Sequence, residues 1–355
     1  MNLLKVEKLS KEFVAERTIF GRPLKTVRAV DNVSFEIARG ETLALVGESG
    51  CGKSTLGRLI MRLIEPSGGT AELSGEDIST LSGKALLSLR KRVQLVFQDP
   101  FSSLNPRMTV GQAIAEPLML HDIVPAAERP ARVRELLSAV GLSPQHMHRY
   151  PHEFSGGQRQ RIVIARALAS QPELVVCDEP VSALDVSIRS QVLNLLADLQ
   201  KQFGFTYLFI SHDLSVVRHI ADRVAVMYLG RIVEIGDTED VFVRPRHPYT
   251  RALIASIPQP DPAGRDNMRP LEGDMPSPLN PPSGCHFHTR CAFAQELCKQ
   301  ERPPLVSSNG RQPAACHFQD ELPPPDDLAS AAQVDPRLER LFAAFRADST
   351  KGTEP

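Results

Sequence analysis

The chain of 355 residues has no excess of either charge, because 41 Lys and Arg stand against 42 Asp and Glu. A protein whose main partner is nucleic acid shows a basic excess, so this balance argues against that class. No stretch approaches the roughly 18 apolar residues of a membrane span. The first residues, M-N-L-L-K-V-E-K-L-S-K, also lack the continuous apolar core of a signal peptide. The expectation is a chain that stays in the cytoplasm and does not cross a bilayer alone. Cysteine is scarce as well: six residues, poor disulfide candidates in a reducing compartment, with four of them clustered near the C-terminus. Apolar residues, at 42%, are ample for a buried core.

The pattern predicts an α/β fold. Leu3 to Ile37 alternates in strand fashion, and Thr42 to Gly47 is an apolar strand that runs into glycines and then a helical segment. Leu174 to Cys177 and Thr206 to Ile210 are short apolar runs bounded by turns, which suits buried strands of a mostly parallel sheet. Between Gln98 and Ser155, Gly111 to Leu120 and Ala131 to Val140 have helical spacing, so a helical subdomain at about 98–160 is expected inside a domain covering 1–240. After it the composition shifts, since 18 of the 29 prolines lie between Pro245 and Pro355. A density of that kind opposes a long regular core and predicts an irregular Cys-rich domain at 241–320. Residues 321–355 read as a Pro-rich linker and tail, where Leu338, Leu341, Phe342 and Phe345 would share one face of a short helix.

Phosphate chemistry is the clearest signal. Gly47, Glu48, Ser49, Gly50, Cys51, Gly52, Lys53, Ser54 and Thr55 fit the pattern G-x-x-x-x-G-K-[ST], directly after a strand and before a helix. Glycines let backbone N–H groups close around phosphate oxygens, and the helix N-terminus adds partial positive charge. Lys53 would reach the β- and γ-phosphates, and Ser54 would ligate magnesium. Asp178 and Glu179 end an apolar strand, which delivers two carboxylates to the sheet edge where ligands bind in open α/β folds. Asp178 suits magnesium, and Glu179 suits polarising the water that attacks the γ-phosphate. At Ser155, Gly156, Gly157 and Gln158, small residues open a helix where a backbone can approach an anion closely.

This last motif resembles the signature of ATP-binding-cassette (ABC) proteins, with Phe154 in the place usually held by Leu. The resemblance implies a P-loop NTPase of the RecA-like kind, with an antiparallel β subdomain and a helical subdomain. It also implies two ATP molecules sandwiched in a dimer, where Ser155, Gly157 and Gln158 complete the partner's site. Gln98 is similar to the glutamine that senses magnesium and the attacking water, and His212 to the switch histidine on the γ-phosphate. Asp185 resembles a residue that communicates across the dimer. Phe13 is similar to the aromatic that stacks on adenine, with Phe20 as its rival and an ordinary core Phe as the plainer reading. Cys51 and Cys177, inside nucleotide motifs, read as small packing residues.

Cys285, Cys291, Cys298 and Cys316 follow the spacing C-x5-C-x6-C-x17-C in a segment too irregular to fold on apolar burial alone. Four thiolates suit zinc, but the usual closely spaced pairs are missing. An iron–sulfur cluster accepts looser spacing, and His286, His288 and His317 keep a mixed zinc site open as well. Together with His247 to Leu253 and Pro276 to Cys285, these cysteines resemble the C-terminal extension of the ATPase subunits of dipeptide and oligopeptide importers. That likeness implies a [4Fe-4S] cluster, a heterodimer with a second ATPase, two membrane-spanning permeases and an extracytoplasmic peptide-binding protein. The chain would then sit on the cytoplasmic face of the inner membrane and hydrolyse ATP to drive peptide import. An ATPase acting on nucleic acid is the alternative class. It would call for a long coiled-coil insert, tandem cassettes or a basic arm, and the sequence has none of these.

Overall fold

A computed structural model describes residues 2–17, 23–257, 273–324 and residue 340. In chain order its strands are β1 (Asn2–Arg17), β2 (Pro23–Ala38), β3 (Thr42–Val46), β4 (Gly68–Leu73), β5 (Glu76–Asp77), β6 (Val93–Val96), β7 (Leu174–Asp178), β8 (Thr206–Ser211), β9 (Arg223–Tyr228) and β10 (Arg231–Asp237). They form two sheets. One is antiparallel with order β2-β1-β4-β5, and the other has six strands in the order β10-β9-β3-β8-β7-β6. In the second sheet β3, β6, β7, β8 and β9 are parallel, and only the edge pair β10–β9 is antiparallel.

The continuous apolar runs of this sheet follow from burial on both faces. Ala44, Val46, Val175, Cys177, Tyr207 and Phe209 enter one core, while Leu43, Leu45, Leu174, Val176, Leu208 and Ile210 enter the other. The period-two alternation is therefore present, but both phases are apolar. Helix α1 (Lys53–Ile60) and helix α2 (Gly83–Arg92) lie on the side of the antiparallel sheet, where Leu56, Leu59, Ile60 and Leu89 pack with Leu4 and Val6. The opposite core takes the helical insert: α3 (Pro100–Ser103), α4 (Val110–Leu120), α5 (Arg129–Ala139) and α6 (Gly156–Leu168). It continues along α7 (Val186–Phe203) and α8 (Leu214–Ile220). Thr109 caps α4 and Ser155 caps α6, each through a reciprocal capping box with the glutamine three residues on.

After β10 come α9 (Thr238–Val243), α10 (Pro248–Ala255) and the short α11 (Glu296–Gln300). This region is laced into the parallel-sheet core. Val241, Phe242, Tyr249, Ile254 and Phe287 belong to the core beneath that sheet. The backbone around Ala314 runs beside β10, with Ile235 N–H donating to Pro313 O at 3.1 Å and Ala315 N–H to Val233 O at 2.8 Å. Its anchor is Glu234, a wholly buried carboxylate that accepts from the backbone N–H groups of Arg246 (2.8 Å) and His247 (2.9 Å). Gln312 donates to the same carboxylate at 3.3 Å. Arg246 then fastens the far end through Ser308 O and Gln312 O, both at 3.1 Å, and through Asp320. Irregular secondary structure here coexists with dense hydrogen bonding to a regular core. The tail helix expected around Leu338, Leu341, Phe342 and Phe345 lies outside the described residues.

His247 caps α10 by accepting the Tyr249 N–H on Nδ1 at 3.1 Å, which requires the neutral ring. Burial pushes its pKa from 6.5 down to about 3, and burial with neighbouring arginines lowers that of His286 to about 4. An unfolded imidazole gains its proton near pH 6.5 and the folded ones do not, so acid favours unfolding. The stability held by each neutral ring is complete above pH 6.5 and is lost as the pH falls towards the folded values. Burial raises the Glu234 pKa, which acts in the opposite sense at the acid end. Urea unfolding between pH 6 and 5 should lose up to about 1.4 kcal/mol per pH unit for each imidazole. His247→Asn, which keeps the cap, should flatten this slope, and an unchanged slope would contradict the assignment.

Candidate active site

The parallel register brings the functional segments to one edge. Val46 lies opposite Ser211, and Asp178 opposite Ile210, so the segments that follow β3, β7 and β8 leave the sheet side by side. The phosphate loop turns there at glycines that tolerate no side chain. At Gly47 (φ 149°) a Cβ would stand 2.2 Å from Met227 O, and at Gly52 (φ 109°) 2.1 Å from Ala29 O. Cys51 and Cys177 are buried packing residues at this junction. Lys53 is itself buried, and its Nζ donates to Gly47 O at 2.7 Å and Glu48 O at 2.8 Å. Its ammonium is thereby held inside the loop whose backbone would receive phosphate.

Ser54 Oγ donates to Asp178 Oδ1 at 2.8 Å, so the two residues expected to serve magnesium are already paired. Burial raises the Asp178 pKa, with the Ser54 hydrogen bond opposing it. Together they form a partly buried oxygen pair suited to a hard divalent cation, which takes oxygen ligands. Glu179 is the centre of a polar group at this edge. Gln98 Nε2 donates to its Oε2 at 3.1 Å, and His212 Nδ1 lies 3.0 Å from its Oε1. Three residues separated by up to 114 positions in the chain meet on one carboxylate (Gln98 and His212 at the extremes). The Glu179 backbone sits at φ 50°, a left-handed conformation costly for a residue with a side chain, and its N–H is fixed to Ile210 O at 3.0 Å. Such strain persists only when the surroundings over-determine it.

The signature segment opens α6. Ser155 Oγ accepts from Gln158 N–H at 3.3 Å, and Gln158 Oε1 accepts from Ser155 N–H at 3.1 Å. Gly157 is required because a Cβ would stand 2.4 Å from Ile188 Cγ2, while Gly156 has room. Phe154 fills the core and meets His146 edge to face at 5.2 Å. Asp185 stands exposed at the start of α7 without capping it. Phe13 is 42% exposed, which removes the reading as a core residue, and Lys11 Nζ sits 5.2 Å from its ring centre. Phe20 lies outside the described residues.

Cys285, Cys291, Cys298 and Cys316 line one small cavity with His288 and His317. Burial pushes the Cys291 thiol up to about 11 and the Cys316 thiol to about 12, and the neighbouring thiols reinforce both shifts. Among the described residues, however, no three His, Cys, Asp or Glu side chains gather as the ligands of one metal ion would. Neither the expected [4Fe-4S] cluster nor the zinc alternative, including a mixed site with His286, His288 or His317, therefore finds support in this geometry. His286 instead pairs with Arg302 at 2.9 Å, and His288 Nδ1 lies 2.9 Å from Cys285 O.

Sequence reasoning missed two residues that touch the phosphate loop from the C-terminal region. The Tyr249 hydroxyl accepts from Glu48 N–H at 2.9 Å, and Arg290 forks onto the Glu48 carboxylate at 2.7 and 3.0 Å. The H-P-Y run held a signal for the first, since a helix capped by His247 and opened by Pro248 must point its next residue somewhere. Nothing local marks Arg290.

Comparisons with known proteins agree with this architecture. A family model described as ABC transporter matches residues 30–182, and one described as Oligopeptide/dipeptide transporter, C-terminal region, matches residues 233–298. The "Probable peptide ABC transporter ATP-binding protein y4tS" of Sinorhizobium fredii is 55% identical, over 89% of each chain. The oligopeptide transport ATP-binding protein AppF of Bacillus subtilis is 52% identical, over 89% of this chain and 97% of its own. Among solved structures, cbiO1 of Clostridium perfringens, part of the cbiONQ ABC transporter complex, aligns with TM-score 0.59 at 30% identity, covering 68% of this chain and 91% of its own. The cassette MJ0796, solved as a dimer in a post-hydrolysis state with ADP and Pi, aligns with TM-score 0.59 at 28% identity, over 66% and 98% respectively. No helix among the described residues is long and apolar enough to cross a membrane. The chain belongs to the ATP-binding subunits of peptide transporters within the ABC family.

Proposed function

We propose that this chain is the ATP-hydrolysing subunit of an importer for dipeptides or oligopeptides, working at the cytoplasmic face of the inner membrane. The observation that carries the reading is the meeting of Gln98, Glu179 and His212 at the sheet edge beside the phosphate loop. In this scheme the loop backbone and Lys53 bind the triphosphate, and Ser54 and Asp178 hold magnesium. Glu179 polarises the attacking water, Gln98 orients it, and His212 contacts the γ-phosphate. The signature residues Ser155, Gly156, Gly157 and Gln158 serve a partner subunit's ATP, with Asp185 at the same junction and Phe13 against adenine. Supporting a shared site is a signature helix cap closed on itself, which makes its hydrogen bonds between Ser155 and Gln158. The partners proposed are a second, different ATPase subunit, two permeases and an extracytoplasmic peptide-binding protein; what supports a transport assembly is the similarity to oligopeptide transport ATP-binding proteins.

We also infer that Cys285, Cys291, Cys298 and Cys316 hold a [4Fe-4S] cluster. What supports this is one small cavity lined by all four thiols, close enough that their charges raise the Cys316 pKa together. Four thiolates on one cluster would brace a segment with little regular structure.

Two experiments test these readings. Glu179→Gln should lower ATP turnover about a hundredfold or more while ATP still binds. In cells lacking the native chain, this variant should fail to restore uptake of labelled peptides that the unaltered chain restores; full turnover by the variant would refute the assignment. Protein purified without oxygen should contain iron and acid-labile sulfide, both lost on changing Cys291 and Cys316 to Ser. Zinc in the absence of iron and sulfide would overturn the cluster.

A further inference from the structure

The phosphate loop contains an awkward residue. Glu48 puts a carboxylate in a loop built to receive a polyanion, where a nearby like charge opposes binding. The C-terminal region deals with that carboxylate directly. Both nitrogens at the tip of Arg290 reach it, Nη1 to Oε2 at 2.7 Å and Nη2 to Oε1 at 3.0 Å, in the parallel fork that guanidinium and carboxylate prefer. The Arg290 side chain is only 4% exposed, and its guanidinium carbon lies 6.0 Å from the ring centres of both Tyr228 and Phe287. Two further contacts hold the same stretch of loop. Tyr249 fixes the Glu48 backbone, and Met275 Cε lies 3.5 Å from where a Cβ on Gly50 would stand.

We propose that Arg290 is a positioning residue for ATP binding: it neutralises Glu48 and turns its carboxylate away from the phosphates, so that the C-terminal region sets the affinity of the nucleotide loop. The inference rests on the ATP-site reading above and adds to it a residue from outside the cassette motifs. Proximity alone would make Arg290 a docking contact whose loss loosens the region. Charge compensation requires more, namely that the damage from removing Arg290 depends on the charge of Glu48.

The test uses the full chain carrying Glu179→Gln to stop hydrolysis, with the dissociation constant for ATP and magnesium measured by calorimetry and the thermal midpoint followed alongside. Arg290→Gln, which retains part of the packing over the aromatic rings, should weaken ATP binding about tenfold. Adding Glu48→Gln to that variant should recover most of the lost affinity, although it restores no contact between the two regions. Arg290→Lys, which keeps the charge and loses the fork, should fall between parent and Arg290→Gln. Unchanged affinity in Arg290→Gln would overturn the proposal. So would a weakened affinity that Glu48→Gln leaves uncorrected, since that result fits a docking contact. A parent chain that binds no ATP would instead refute the ATP-site reading.

Discussion

Everything at the active site depends on the parallel pairing of β3, β8 and β7. Parallel strands in register end at the same edge, so three segments far apart in sequence emerge there together. The first forms the phosphate loop, the second ends in Asp178 and Glu179, and the third leads to His212. Burial of both faces holds that register, because a slip of one residue would exchange the contents of two different cores. The helical insert then has one chemical duty at this edge, to bring Gln98 across to Glu179.

A second constraint is the buried Glu234. A carboxylate that deep is tolerable only when its oxygens are hydrogen-bonded, and the groups that satisfy it are the backbone of Arg246 and His247 and the side chain of Gln312. One residue of β10 thus fixes both ends of the region that follows. With its start pinned, α10 directs Tyr249 to the loop, and Tyr228, Tyr249 and Phe287 pack together with ring centres 4.6 to 5.4 Å apart. The segment bearing Cys285 and Arg290 lies on this aromatic floor.

The nucleotide motifs were legible in the sequence because each is local: a glycine loop between strand and helix, a carboxylate pair ending a strand, a small-residue helix cap. Helices over Gly111–Leu120 and Ala131–Val140 were legible by spacing and lie within a residue or two of α4 and α5. The C-terminal region was harder to read. Its prolines pointed to little regular structure, but composition is silent about hydrogen bonds made to another element, so Glu234 and Arg246 gave no sign of joining it to β10. The Arg290–Glu48 pair spans 242 positions, and no periodicity reaches that far. For the cysteines, spacing placed four thiols around one cavity but could not decide the nature of a bound centre.

Glu179 stands on a left-handed backbone that glycine would occupy without penalty. Strain of this kind costs on the order of 1–3 kcal/mol, and the rest of the sheet edge must supply it. Under the role proposed for Glu179, heat resistance and turnover select for different residues at this one position. On that same reading, a glycine here would relax the backbone and leave a chain that binds its nucleotide without consuming it.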